Sequence, residues 1–219
     1  MADKTQVHTV YKLANGQRVP SVTTYLGILG KPAVIHWAWE CGVQGLDYRK
    51  VRDQAGDIGT LVHYLILCSL GGKEPDLSAY SPQDLSAAEI PMSKFRAWLT
   101  GKVIEPILME QPLVSETYAF GGTPDFFGLV NGVRTLLDFK TSGAVYPENF
   151  YQLAAYKHLL YEGGYYPVDQ IKIIRIGKAV DDGLEERTIG NIEDAFTIFL
   201  ACRDIYELQR EMRKAKTTE

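Results

Sequence analysis

The sequence predicts an α/β sandwich, with helices on both faces of a central mixed sheet. Three observations predict it. Asn131-Gly132 lies between two apolar runs and is a strong hairpin signal, because a two-residue type I′ turn needs positive φ at both central positions. Both faces of that hairpin are mostly apolar, so helices must cover both sides. Helical patterns precede this strand-rich middle, and a helix, a strand and a last helix follow it.

Taken in order, residues 1–20 are polar and predict a short hairpin around Asn15-Gly16. Ser21 caps a helix over 21–29, stopped by Gly30 and Pro32. A second helix spans 33–45 and carries Ile35, Trp37, Ala38 and Trp39. Asp57 caps a third, running to Leu70 and ending in Gly71-Gly72. Residues 72–84 read as a loop and 87–109 as largely helical. Strands follow over 113–120, 123–130 and 133–140, with Gly121-Gly122 turning the chain between the first two. Pro147 opens a helix to Tyr161, closed by Gly163-Gly164. A strand over 170–178 has isoleucine at 171, 173, 174 and 176. Asn191 caps a long C-terminal helix.

The bulk properties bound the function. The 219 residues suit one domain, which at this size buries about 70% of its unfolded surface. We divide it into an N-terminal helical elaboration, 1–56, and a core, 57–219. No apolar run reaches the roughly 18 residues of a membrane span, and the N-terminus has no apolar signal region. The expectation is a cytoplasmic protein without membrane contact. Cys41, Cys68 and Cys202 are far apart, a spacing that suits neither a disulfide framework nor a zinc or iron–sulfur site. The net charge of −4 argues against a non-specific nucleic-acid coat protein, which would be basic. The basic run of Arg210, Arg213, Lys214 and Lys216 reads first as a solvated helix end, with DNA-phosphate contact as the second reading.

The chemistry concentrates on the hairpin. Counting back from Asn131-Gly132 pairs Val130 with Val133 and Asp125 with Asp138. Two carboxylates then face each other with Cβ atoms about 5 Å apart, which destabilises a sheet unless something cationic lies between them. Lys140 points to the same face. If Gly121-Gly122 is a two-residue turn, Glu116 joins that face, diagonal to Asp125. A three-residue loop would instead put it on the other face, and an exposed strand acid is an equal reading. His63 lies on an apolar helical stretch, where a core histidine is the usual outcome, but the acid cluster favours a ligand. Gln152 and Tyr156 share a helix face, and a buried amide needs partners. Ala154 and Ala155 let that helix approach the sheet closely.

Paired carboxylates suit a hard divalent cation. Magnesium takes oxygen ligands and keeps waters for substrate, and an imidazole makes manganese acceptable. With a lysine beside them, the acids suit hydrolysis of a phosphodiester, Lys140 orienting the water or stabilising the transition state.

At these residues the chain resembles the PD-(D/E)XK nuclease superfamily, in particular its RecB-like branch, including phage-type exonucleases. The matching elements are Gly59-x-x-x-His63, Gly122-x-Pro124-Asp125, Asp138-x-Lys140-Thr141 and Gln152-x-x-x-Tyr156, in the family's order. The Ser21-Val-Thr-Thr-Tyr opening and the Trp37–Trp39 helix look similar too. The resemblance implies a restriction-endonuclease-like core and a Mg²⁺- or Mn²⁺-dependent deoxyribonuclease. It implies that His63, Asp125, Asp138 and the Phe139 carbonyl bind one or two ions, that Lys140 is catalytic, and that Gln152 and Tyr156 position DNA or the shell of the site. It also implies an exonuclease of recombination or repair. The four cysteines of iron–sulfur relatives are missing, so no cluster is expected. No P-loop helicase motif is present, so unwinding would need a separate helicase. By analogy, a single-strand annealing protein is a partner, and a homo-oligomer is expected because phage relatives are often multimeric. The competing readings are a structure-specific endonuclease and a non-catalytic DNA-binding subunit.

Overall fold

Asn131 and Gly132 take φ of 51° and 79°, the pair of left-handed conformations that a two-residue hairpin turn requires. The turn sets Val130 against Val133 and runs the register back to Phe126 against Leu137. This hairpin is the middle of the fold. The computed structural model describes residues 9–216, the side chain of Lys216 excepted. The polar N-terminus read as lacking a signal region therefore lies outside the described residues, as does the Lys216 side chain of the basic run.

In chain order the elements are β1 (Tyr11–Lys12), β2 (Arg18–Val19), α1 (Val22–Leu26), α2 (Pro32–Val43), α3 (Tyr48–Leu70) and α4 (Pro82–Leu99). Then come β3 (Ile104–Met109), β4 (Leu113–Ser115), β5 (Phe120–Gly122), β6 (Phe126–Val130), β7 (Val133–Lys140), α5 (Pro147–Glu162), β8 (Gln170–Ile176), β9 (Leu184–Ile189) and α6 (Glu193–Lys216). The central sheet runs β3-β6-β7-β8-β9. Only β7–β8 is parallel, joined across α5, so the sheet is mixed as predicted.

Successive strand residues point to opposite faces, and both faces are buried. Phe127, Leu136 and Ile173 pack under α1, α5 and α6. Phe126, Leu137, Phe139 and Ile174 pack under α3 and α4. Ala154 and Ala155 are buried, which lets α5 lie close to the strands.

Local signals placed several elements correctly. The hairpin around Asn15-Gly16 forms, with Gly16 at φ 84°. Ser21 Oγ accepts from the Thr24 amide at 3.0 Å and caps α1. α5 runs from Pro147 to Glu162 with Gly163 as its C-cap. Asn191 Oδ1 accepts from the Glu193 amide at 3.0 Å and opens α6.

Five expectations are corrected. α1 ends at Leu26, because after Gly27 the amides of Ile28 and Leu29 reach back only three residues, to the Tyr25 and Leu26 carbonyls. α3 starts on Asp47, whose side chain accepts from the Arg49 amide at 3.0 Å, so Asp57 is a mid-helix residue. A boundary at 56/57 thus falls inside one helix. α4 starts at the Ser81–Asp84 capping box, inside the predicted loop. It stops before Gly101, at φ 76°, and the chain then forms β3 rather than continuing as helix to 109. Pro106 is tolerated there because β3 is an edge strand with a register shift at 106–108, where no ladder donor is lost. β9, the opposite edge, has no counterpart in the elements the sequence predicts. Its polar outer positions hid it.

Gly121-Gly122 is not a turn. Both residues lie in β5, and the chain reverses over 116–119, with Ala119 at φ 53°. These glycines serve close approach instead. A Cβ on Gly121 would meet the Tyr11 ring at 2.1 Å, and one on Gly122 would meet Tyr156 at 2.7 Å.

Gly128 has the same role in the central sheet, where a Cβ would lie 2.3 Å from the Glu105 carbonyl oxygen. That neighbour is backbone and cannot rotate away. Gly128→Ala should destabilise the protein by about 2–3 kcal/mol, whereas Gly143→Ala, with nothing within 4 Å, should change stability by less than about 0.5 kcal/mol. Urea unfolding of the two variants beside the wild type checks this. Equal midpoints would refute the packing argument.

Candidate active site

The hairpin register ends at Phe126 against Leu137, and Asp125 and Asp138 are the next residues along the two chains. Asp125 has left the strand, and its carboxylate replaces a main-chain acceptor: Oδ2 takes the Phe139 amide at 2.9 Å. Asp138 is completely buried in β7. Each acid has its own cation. Lys140 Nζ donates to Asp138 Oδ1 at 2.8 Å, and His63 Nε2 from α3 lies 3.0 Å from Asp125 Oδ2. His63, Asp125 and Lys140 line a cleft of about 760 Å³ between α3 and the ends of β7 and β8, while Asp138 stays buried outside its lining.

His63 is there because α3 carries two glycines on the side toward the strand end. A Cβ on Gly59 would fall 2.8 Å from Thr141 Oγ1, so glycine lets the helix close on the loop after β7. α5 covers the other side. Gln152 Nε2 donates to Tyr156 Oη at 2.8 Å, which satisfies one donor of the amide, and Tyr156 is buried close enough to feel the Asp125 charge.

The charges are strongly interdependent. Burial pushes the Asp138 carboxyl up to about 6, with Asp125 adding to the rise and Lys140 opposing it. Burial works hardest against a charged Asp125, but the charge and hydrogen bond of His63, the Lys140 charge and the Phe139 amide together outweigh it and hold the carboxyl below its usual range. For His63, burial favours the neutral ring, and Asp125 overrides it to push the imidazole up to about 9. Lys140 is desolvated too, yet Asp138 and Asp125 together raise it above its ordinary value. It is therefore an ammonium donor and not a base at neutral pH.

Of the residues expected at the site, the structure brings together His63, Asp125, Asp138, Phe139, Lys140, Gln152 and Tyr156. Phe139 contributes its amide to Asp125. Glu116 is not among them. It lies in the turn after β4, is exposed, and accepts from the Ala14 amide at 2.8 Å. The misplaced Gly-Gly turn had put it on the wrong element. A third acid does reach the cleft: Glu110 Oε1 lies 3.5 Å from His63 Nδ1. Glu110 sits at φ 45° just after β3, its amide held by the Pro124 and Asp125 carbonyls. Reading 87–109 as helix concealed it.

The donor set fits a hard divalent cation in part. Asp138 Oδ2 is buried and takes no hydrogen bond, although Lys140 Nζ lies 2.7 Å away. The ammonium is near both oxygens but directs its bond to Oδ1, so Oδ2 keeps a free lone pair in a place where such atoms are rare. Against this, among the described residues no group of three or more His, Cys, Asp or Glu side chains stands at metal-binding spacing. Asp125 Oδ2 is already engaged by Phe139 and His63.

No protein-family model matches the chain, and no curated protein does. Among solved structures, the alkaline exonuclease LHK-Exo from Laribacter hongkongensis is similar over 76% of this chain and 92% of its own, at 18% identity and a TM-score of 0.35. A complex of LHK-Exo with dAMP covers the same shares at the same identity, with a TM-score of 0.36. Among the described residues no helix is long and apolar enough to cross a membrane.

The His63–Asp125 pair has a pH signature. A group raised in the folded state from 6.5 to about 9 contributes its stability in full below 6.5 and loses it as pH rises through 9. In metal-free buffer the thermal midpoint of the wild type should exceed that of His63→Gln most at pH 6, and the gap should shrink by pH 9.5. A gap independent of pH would show that the ion pair does not exist.

Proposed function

We propose that this chain is a metal-dependent deoxyribonuclease of the PD-(D/E)XK, RecB-like class, acting as an exonuclease within one nuclease domain. One observation carries the reading: Asp138 is fully buried and Asp125 nearly so, and they are matched by cations on two different elements, Lys140 on β7 and His63 on α3, beside one open cleft. Burying two carboxylates in apolar surroundings is costly, and a purely structural pair is better replaced by hydrocarbon. The arrangement makes sense when the charges act on something that enters the cleft.

Asp125, Asp138, His63 and the Phe139 carbonyl are the groups that would hold magnesium or manganese, which would polarise the phosphoryl oxygen and acidify a water. The chain's own groups do the rest. In hydrolysis the water oxygen bonds to phosphorus, the P–O3′ bond breaks, and the products carry a 5′-phosphate and a 3′-hydroxyl. The extra negative charge on the phosphoryl oxygens faces the Lys140 ammonium, fixed by Asp138 before substrate arrives, so little reorganisation is needed. In the metal-free site Glu110 and Asp125 face the two nitrogens of a charged His63 ring, so the ring would have to give up a proton and leave one carboxylate to bind the metal. Gln152 and Tyr156 back the site from α5. DNA is the substrate; a helicase or a single-strand annealing protein is the expected partner, and the cytoplasm the expected location.

A specific observation favours a second reading, a DNA-binding subunit without catalysis. The Lys140 ammonium lies close to Asp138, and among the described residues no group of three or more His, Cys, Asp or Glu side chains is placed to hold a metal.

End-labelled linear duplex and covalently closed circular DNA, each incubated with magnesium or manganese, separate the readings. We expect metal-dependent loss of the linear DNA alone, abolished by chelation. Asp125→Ala, Asp138→Ala and Lys140→Ala should each lower the rate by about a thousandfold or more. Cleavage of the closed circle would make the protein an endonuclease. DNA binding with no cleavage under either metal would select the non-catalytic reading.

A further inference from the structure

The cleft holds a lysine for which the proposed chemistry has no use. Lys178 follows β8 by two residues and lines the same cleft as His63, Asp125 and Lys140. Its Nζ donates to the Ala55 carbonyl of α3 at 3.1 Å, and among the described residues no carboxylate offsets its charge: burial alone acts on it, and lowers its pKa. The cations around it are committed. Lys140 is paired with Asp138, His63 with Asp125, and Arg175 with Asp182 and Glu185. A half-buried ammonium held only by a neutral carbonyl is short of a negative partner.

The loop is built to keep it there. Lys94 reaches from α4 and donates to the Gly177 carbonyl at 2.8 Å, and also to the carbonyls of Ala179 and Asp182. Gly177 and Ala179 are the two chain neighbours of Lys178, so one ammonium clamps the backbone on both sides of it. Arg175 Nη1 donates to Asp182 Oδ1 at 2.9 Å, and the Gly177 amide bonds the Gly183 carbonyl at 3.0 Å. A surface loop with no task would not need three carbonyls gathered on a partly buried lysine. The clamp fixes where the Lys178 side chain leaves the backbone.

We propose that Lys178 is a phosphate-binding residue that takes a backbone phosphate of a polynucleotide strand lying in the cleft, beside the phosphate that Lys140 faces, with Lys94 as its positioning residue. This rests on the nuclease reading of the cleft for the identity of the strand. A strand lying in the cleft would meet both Lys140 at the end of β7 and Lys178 just beyond β8, which line it together. The competing account makes Lys178 a tether that holds the loop to α3 through Ala55.

Three variants divide these accounts. Lys178→Gln keeps a donor for the Ala55 carbonyl and loses the charge, Lys178→Ala loses both, and Lys178→Arg keeps the charge. With a short linear duplex, we expect Gln and Ala to raise KM about tenfold while kcat stays within about threefold, and Arg to recover most of the loss. Equilibrium binding of the same fluorescent duplex, followed against salt, should lose about 0.7–0.9 from its log–log slope in Gln and Ala, the share of one phosphate contact. Wild-type KM and slope in Lys178→Gln would overturn the proposal and leave the tether. Failure of the nuclease reading gives a different pattern. If the wild type binds DNA without cleaving it, the slope change in Lys178→Gln still upholds the phosphate contact. If the wild type does not bind DNA at all, both readings fall.

Discussion

Two carboxylates side by side inside a protein cannot both stay charged unless each has a cation, and that requirement organises this molecule. Asp138 is fully buried, and Asp125 is nearly so. Lys140 on the same strand answers the first, and His63 on a distant helix answers the second. Removing either cation would leave an uncompensated buried charge, a far larger loss than the pair contributes when intact. The pairs are also joined through the backbone, since Asp125 holds the amide of Phe139, the residue between Asp138 and Lys140. Neither acid can shift without disturbing the other.

The sheet explains why the pairs lie where they do. β7 is the central strand, with Leu137 and Phe139 toward α3 and α4, and Leu136 and Asp138 toward α1, α5 and α6. Asp138 and Lys140 come at its carboxyl end, where the chain leaves the sheet at Thr141. β8 runs parallel to it and ends on the same side, Arg175 beside Lys140. Open α/β sheets characteristically receive ligands outside the carboxyl ends of such strands. Here both strands deliver charge to one cleft, Lys140 from one and Lys178 from the loop after the other.

What the sequence revealed depended on whether the signal was local. Asn131-Gly132 is a complete instruction in two residues: its φ values determine the turn, the turn determines the register, and the register places Asp125 next to Asp138. The caps at Ser21 and Asn191 are equally self-contained. Gly121-Gly122 carried the opposite lesson. The same residue type that makes a turn also lets Tyr11 and Tyr156 lie on a strand, and only the three-dimensional neighbour tells the two apart. That single ambiguity moved Glu116 to the site and away from its real place against Ala14. Pro106 hid an edge strand in the same way, and with it Glu110. His63, Gln152 and Tyr156 reached the site list through a resemblance rather than through spacing, because each is delivered by a helix whose docking depends on contacts far along the chain.

The charge balance of the cleft bears on how an acidic protein could hold a polyanion. With a net charge of −4 the chain has no global attraction for nucleic acid to draw on, so any grip must be local. Inside the cleft, Lys140 and His63 are already spent on Asp138 and Asp125, and Glu110 adds a further acid beside His63. Their fields largely cancel at the distance of a bound strand, and what remains is set by the charges with no opposite partner. Lys178 is such a charge, and its loop is clamped so that it cannot swing away to find one. On the proposed reading such a cleft would attract phosphate weakly from afar and chiefly at contact.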